Sequence, residues 1–162
     1  MIFITIGTQE PFDRLIETMD ELAKELNIEE LFVAQTFGGK YKVHNMKSYG
    51  FLNPVEFDEL FNSARLIISH AGMGTVVSAL TKAKPILVMP RRVEFGEHRN
   101  DHQMASAFKL AELGYIHVAF DENELKEKAN RLIKVADLKP LHVVGKFASD
   151  SLIQSLIQFI HI

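Results

Sequence analysis

Short, nearly unbroken apolar runs alternate along this chain with longer stretches of helical period. Ile2–Ile6, Leu31–Ala34, Leu66–Ile68, Ile86–Met89 and Tyr115–Ala119 read as strands buried on both faces, since a strand covered on two sides has no polar positions to alternate. Between the first two runs, Leu15, Ile16, Met19, Leu22, Ala23 and Leu26 recur on one face of a predicted helix, with Pro11 in its opening turn. Asn53-Pro54-Val55-Glu56 supplies a cap, a first-turn proline and a capping-box glutamate ahead of Phe57, Leu60 and Phe61. Asp121-Glu122-Asn123-Glu124 repeats the device before Leu125, Ala129 and Leu132, and a helix starting near His98 closes at Gly114. This alternation predicts parallel βαβ units: an α/β fold with a doubly wound, mostly parallel, Rossmann-like sheet. No repeat, low-complexity tract or linker interrupts it, so residues 1–162 are expected to form a single domain.

Composition narrows the function classes. The 162 residues contain no cysteine, which removes disulfide frameworks, Cys-based metal sites and thiol nucleophiles. Eighteen basic against 21 acidic residues give a net charge of −3, and no Lys/Arg run appears, so a nucleic-acid partner is not expected. Met1–Ile6 is apolar but stops at Gly7 and lacks a basic lead, too short for a signal peptide or a span. The expectation is a cytoplasmic protein, peripheral to the inner face of the membrane only through a partner.

In doubly wound sheets, ligands collect where strand ends meet helix N-termini. The most informative junction is Ser69-His70-Ala71-Gly72-Met73-Gly74-Thr75, where a buried strand runs into two glycines and a helix bearing Val76, Val77 and Leu80. Glycines let the backbone approach a ligand, and first-turn N–H groups with the helix dipole make an anion site; the same glycines also suit a tight packing turn. A second junction, Pro90-Arg91-Arg92-Val93-Glu94-Phe95-Gly96-Glu97-His98-Arg99-Asn100-Asp101-His102-Gln103, is dense in groups that bond sugars and phosphates. It also reads as a solvated helix start with Arg/Glu pairs. His98 and His102 are four apart with Asp101 adjacent, a possible metal set, but the glutamate of HExxH is missing and Arg99 would place a cation beside the ion. Gly7-Thr8-Gln9, after the first strand, is a third candidate loop.

The order of these segments resembles the glycosyltransferase family 28 C-terminal domain. More narrowly, it resembles the PssE-type small subunits of two-subunit bacterial exopolysaccharide glycosyltransferases, themselves related to the catalytic subunit of a eukaryotic two-subunit GlcNAc transferase. Gly96-Glu97-His98-Arg99-Asn100-Asp101-His102-Gln103 is the most specific part. The resemblance implies one donor-binding half of a GT-B glycosyltransferase, holding a UDP-sugar without metal or cofactor. By position, the His70–Thr75 turn (His70, Ala71, Gly72, Met73, Gly74, Thr75) would contact the diphosphate, with His70 or Arg91 helping to stabilise its charge, and Gly7 and Thr8 would belong to the substrate-binding loop after the first strand. Asp101 and Gln103 would bind sugar hydroxyls within a segment that also offers Glu97, His98 and Asn100, and Phe51 and Leu52 would lie near uracil. Many relatives carry a ribose-binding Glu where this chain has Ser78, which can bond one hydroxyl but cannot grip two.

Departure of UDP builds negative charge on the diphosphate, which a helix N-terminus stabilises. No Asp-x-Asp occurs, so a metal-clamped diphosphate is not expected. The family implies inverting transfer. Because GT-B enzymes close a cleft between two such domains, a membrane-associated acceptor-binding subunit is expected to present a lipid-linked saccharide and to carry the base. The apolar positions Leu152, Ile153, Leu156, Ile157, Phe159 and Ile160 could dock it or pack on the chain's own sheet. The competing readings are a non-catalytic nucleotide-sugar-binding or regulatory subunit, and a metal-dependent sugar-phosphate hydrolase built on His98, Asp101 and His102.

Overall fold

The computed structural model describes residues 1–26 and 28–145. Six strands, β1 (Ile2–Thr5), β2 (Phe32–Gln35), β3 (Lys47–Tyr49), β4 (Leu66–His70), β5 (Ile86–Met89) and β6 (His117–Val118), form one sheet in the order β3-β2-β1-β4-β5-β6. All five pairings are parallel; Ile4 lies beside Ala34 and Ile68, and Ile68 beside Leu87. Five helices cover the faces: α1 (Asp13–Leu26), α2 (Pro54–Ser63), α3 (Met73–Thr81), α4 (His102–Glu112) and α5 (Glu122–Ile133).

Strand alternation splits the core into two layers. Ile2, Ile4 and Ile6 join Leu66, Ile68 and Leu87 under Leu15 and Met19 of α1 and Leu125 and Ala129 of α5. Phe3, Val33, Ile67 and Val88 face the other way, against Phe61, Val76, Ala79, Leu80 and Ala107. Because both faces are covered, the central strands carry apolar side chains at nearly every position, which is what made them legible. The doubly wound, all-parallel sheet is the α/β architecture that the strand–helix alternation predicts.

Three local expectations need correction. β3 was not expected: as an edge strand with two exposed residues and a half-buried Tyr49, it has no apolar run to announce it. The fourth helix starts at His102, not near His98. Gly96 takes a left-handed φ of +67° and closes a 3-10 turn (Val93–Phe95), so the chain bends where the periodicity suggested a helix. Pro11 precedes α1, which begins at Asp13, rather than lying inside it. The capping box at Asn53 is present in full. At Asp121 only half of it forms, since the Glu124 carboxylate accepts from the N–H of Phe120 rather than from the cap. The apolar positions Leu152 to Ile160 lie outside the described residues.

Candidate functional site

Strand order reverses between β1 and β4, so the loops leaving these neighbours diverge and open a crevice at their C-terminal ends. A cavity of about 410 Å³ occupies it. Gly7, Thr8 and Gln9 form one wall, His70 to Thr75 the floor, and Arg91, His98, His102, Gln103 and Ser106 the opposite side. Among the described residues no aspartate or glutamate lines it.

Three features fit this crevice to an anion. Gly72 caps α3 with no side-chain hydrogen bond, and the N–H groups of Met73, Gly74 and Thr75 meet no protein acceptor among the described residues; the first helical bond is Val76 N–H to Gly72. Those amides sit at the positive end of the helix dipole. Arg91 is 2% exposed and pairs with no carboxylate among the described residues. Its guanidinium donates instead to the carbonyls of Ile6 (2.9 Å) and Glu10, bracketing the Gly7–Gln9 loop, while its Nε has no partner. Burial pushes the Arg91 pKa down against the opposing pull of the Glu97 and Glu10 charges, neither of which forms an ion pair with it, and a cation so desolvated favours an incoming anion.

His70 is the third feature. Its ring is clasped between two glycines: a Cβ at Gly7 would lie 3.1 Å from it, and one at Gly72 would overlap it. Gly7 also has φ +74°, a conformation that side chains resist. Burial, then the nearby Arg91 charge, lowers the His70 pKa to about 4, so the imidazole is neutral near pH 7 and meets an anion as a dipole. The unfolded chain therefore takes up this proton first as pH falls below about 6.5. His70 contributes stability that is complete above that pH and is lost progressively towards pH 4, up to about 3 kcal/mol. Urea denaturation at pH 7 and 4.5 should show a shallower acid loss for His70→Asn than for the parent chain.

Other expected site residues go elsewhere. Glu97 is fully engaged: Arg14 holds both of its oxygens at 2.7 and 2.8 Å, and the N–H of Arg92 donates at 2.9 Å. It pins the loop after β5 to α1 and does not line the cavity. Asp101 and Gln103, read together in the sequence, are separated. Gln103 lines the cavity, and its Oε1 accepts from the N–H of Arg91 at 3.3 Å. Asp101 borders a different hollow with Arg92, Glu94 and Met104. Gln103→Ala should raise the KM for a nucleotide-sugar about tenfold, whereas Asp101→Ala should change it less than about twofold, measured by initial rates. Leu52 is 5% exposed in the core and Phe51 projects into solvent; neither lines the cavity, nor does Ser78 on α3. Asn100 stands at its outer edge in an adjoining hollow.

Gln9, His102 and Ser106 also line the cavity. Gln9 appeared in the sequence only as part of a loop, and His102 only as a metal ligand. Ser106 follows Gln103 at helical spacing, the signal that could have found it. His98 and His102 share the cavity but Asp101 does not, and among the described residues no three His, Asp or Glu side chains are placed to hold an ion.

Comparison with known proteins places this architecture. Over 82 residues the chain is 37% identical to the UDP-N-acetylglucosamine transferase subunit ALG13 of Cryptococcus neoformans, covering 49% of this chain and 38% of that protein. It spans less than half the length of the curated relatives it matches. Among solved structures, MurG of Acinetobacter baumannii superposes with a TM-score of 0.66 at 18% identity, over 97% of this chain and 49% of that one. A solution structure of ALG13 gives 0.57 at 20% identity, over 96% and 93%. At these identities the likeness is one of fold. The sequence profile of the glycosyltransferase family 28 C-terminal domain matches residues 1–141, and the chain belongs to that family.

Proposed function

We propose that this chain is the donor-binding subunit of a two-subunit, inverting UDP-sugar glycosyltransferase of the PssE type, acting in surface polysaccharide synthesis. The observation that carries this reading is the crevice itself: α3 amides without acceptors and a buried Arg91 without an ion pair converge on a cavity that, among the described residues, no carboxylate lines. That field suits a diphosphate. The α3 amides would take the phosphate oxygens, with the neutral His70 beside them, while Gln103 and His102 would meet the sugar hydroxyls. As the bond to the diphosphate breaks, charge grows on its oxygens and the preorganised amides stabilise it without rearranging. Gly7–Gln9, braced by Arg91, would close the opposite wall.

The relative named as a transferase subunit supports a partner for this chain. A second, membrane-associated polypeptide would present a lipid-linked saccharide, with this chain on the cytoplasmic side. Calorimetry with UDP tests the binding half of the proposal; radiolabel transfer from UDP-sugars into lipid, with and without the product of a neighbouring gene, tests the rest. Absence of UDP binding even beside the partner would overturn it. Binding without any transfer would leave a regulatory subunit instead.

A further inference from the structure

The attacking hydroxyl must lose a proton, and the structure offers a group on this chain to take it; the argument rests on the donor-site reading above. A second cavity, of about 570 Å³, adjoins the first and is walled by Gln9, Glu10, His98, Arg99 and Asn100. Gln9 and His98 line both cavities. Met73, Gly74 and Thr75 line only the first, and Glu10 only the second. Direct displacement needs the nucleophile on the face of the sugar opposite its leaving group. A donor with its diphosphate at α3 and its sugar against the shared Gln9 and His98 would thus have the second cavity, with Glu10, at its far end.

Among the described residues Glu10 is the one carboxylate on either wall. Its backbone is fixed, since the Arg91 guanidinium that braces the loop bonds its carbonyl, while its exposed side chain is left to reach an incoming hydroxyl. Among the described residues the second cavity has only polar and charged side chains on its wall, which suits the hydroxyl-bearing end of a saccharide rather than a lipid tail. We propose that this cavity receives the acceptor saccharide and that Glu10 is the general base. Its carboxylate accepts the hydroxyl proton, the oxygen lone pair forms the bond to the anomeric carbon, and the bond from that carbon to the diphosphate breaks, its electron pair leaving with UDP. The base thus lies on this chain rather than on the partner, where the family resemblance implied it.

The test uses the full chain co-expressed with its neighbouring gene product, radiolabelled UDP-GlcNAc, UDP-galactose and UDP-glucuronic acid, and membranes of the source organism as acceptor. Glu10→Gln should lower kcat by about 10²–10⁴-fold, while donor KM and the UDP Kd stay within about twofold. Glu10→Asp should retain part of the turnover. The proposal is overturned if Glu10→Gln keeps more than about a tenth of parent turnover, if UDP affinity falls in step with kcat, or if His98→Asn alone carries the kcat loss. Failure of the parent complex to bind UDP would sink the donor-site reading instead, so the two outcomes are separable.

Discussion

Gly72→Ala should cut UDP affinity at least about tenfold, equivalent to some 1.4 kcal/mol, and lower the melting temperature by several degrees. The backbone at Gly72 (φ −76°, ψ 127°) accepts an alanine without strain, so the whole effect is steric. The added methyl overlaps the His70 ring, and that ring has no retreat, because Gly7 packs on it from the other side with no side chain to move. The first turn of α3 must shift, and overpacking of this kind costs about 1–3 kcal/mol. Any shift moves the Met73, Gly74 and Thr75 amides away from their common focus, and misplacement of preorganised donors weakens anion binding. Pairing Gly72→Ala with His70→Ala makes room for the methyl, so stability should recover relative to the sum of the single changes. UDP binding by Gly72→Ala at parental strength would show that the anion site is not at α3.

Asp20→Ala should destabilise the fold by about 3 kcal/mol, lowering the melting temperature by roughly 10 °C, and leave UDP affinity unchanged. Asp20 lies on α1 and is fully buried. Its carboxylate accepts from the Tyr41 hydroxyl at 3.0 Å, the N–H groups of His44 (3.0 Å) and Asn45 (2.8 Å), and the Asn45 side-chain amide (3.0 Å). Burial, with help from this carboxylate, pushes the Tyr41 hydroxyl up to about 12. Together these bonds fasten the long connection between β2 and β3 along α1, where Asp13 also accepts from the N–H of Lys40. Removing the acceptor strands several donors at once, whereas Asp20→Asn keeps one oxygen and should fall between. Thermal denaturation beside calorimetry separates the two effects. A loss of UDP affinity equal to that of Gly72→Ala would mean that the β2–β3 connection reaches the ligand.

The contrast between these two positions shows what a one-dimensional reading can reach. Gly72 was singled out because its reason is local: a strand, a glycine and a helix start lie within a few residues. Asp20 gave no signal, since a polar residue in an amphipathic helix looks solvated until a loop more than 20 residues away folds over it. The central strands and most helices were legible because burial on two faces and a 3.6-residue period are written in consecutive side chains. β3 was not, because an edge strand is defined by its neighbour's hydrogen bonds and not by its own apolarity.

The same division runs through the crevice. Sequence alone determined the class of sheet, the junctions where ligands gather, and the family likeness carried by the Gly96–Gln103 segment. Only the tertiary structure decided what each polar group there is for. It took Glu97 out of the cavity to hold Arg14, parted Asp101 from Gln103, and set Arg91 across the loop after β1, with its carbonyl partners 85 and 81 positions away. Periodicity and capping are short-range and survive in the linear chain. The partners of a buried charge are chosen by the sheet order that brings distant loops side by side, and no local pattern encodes that choice.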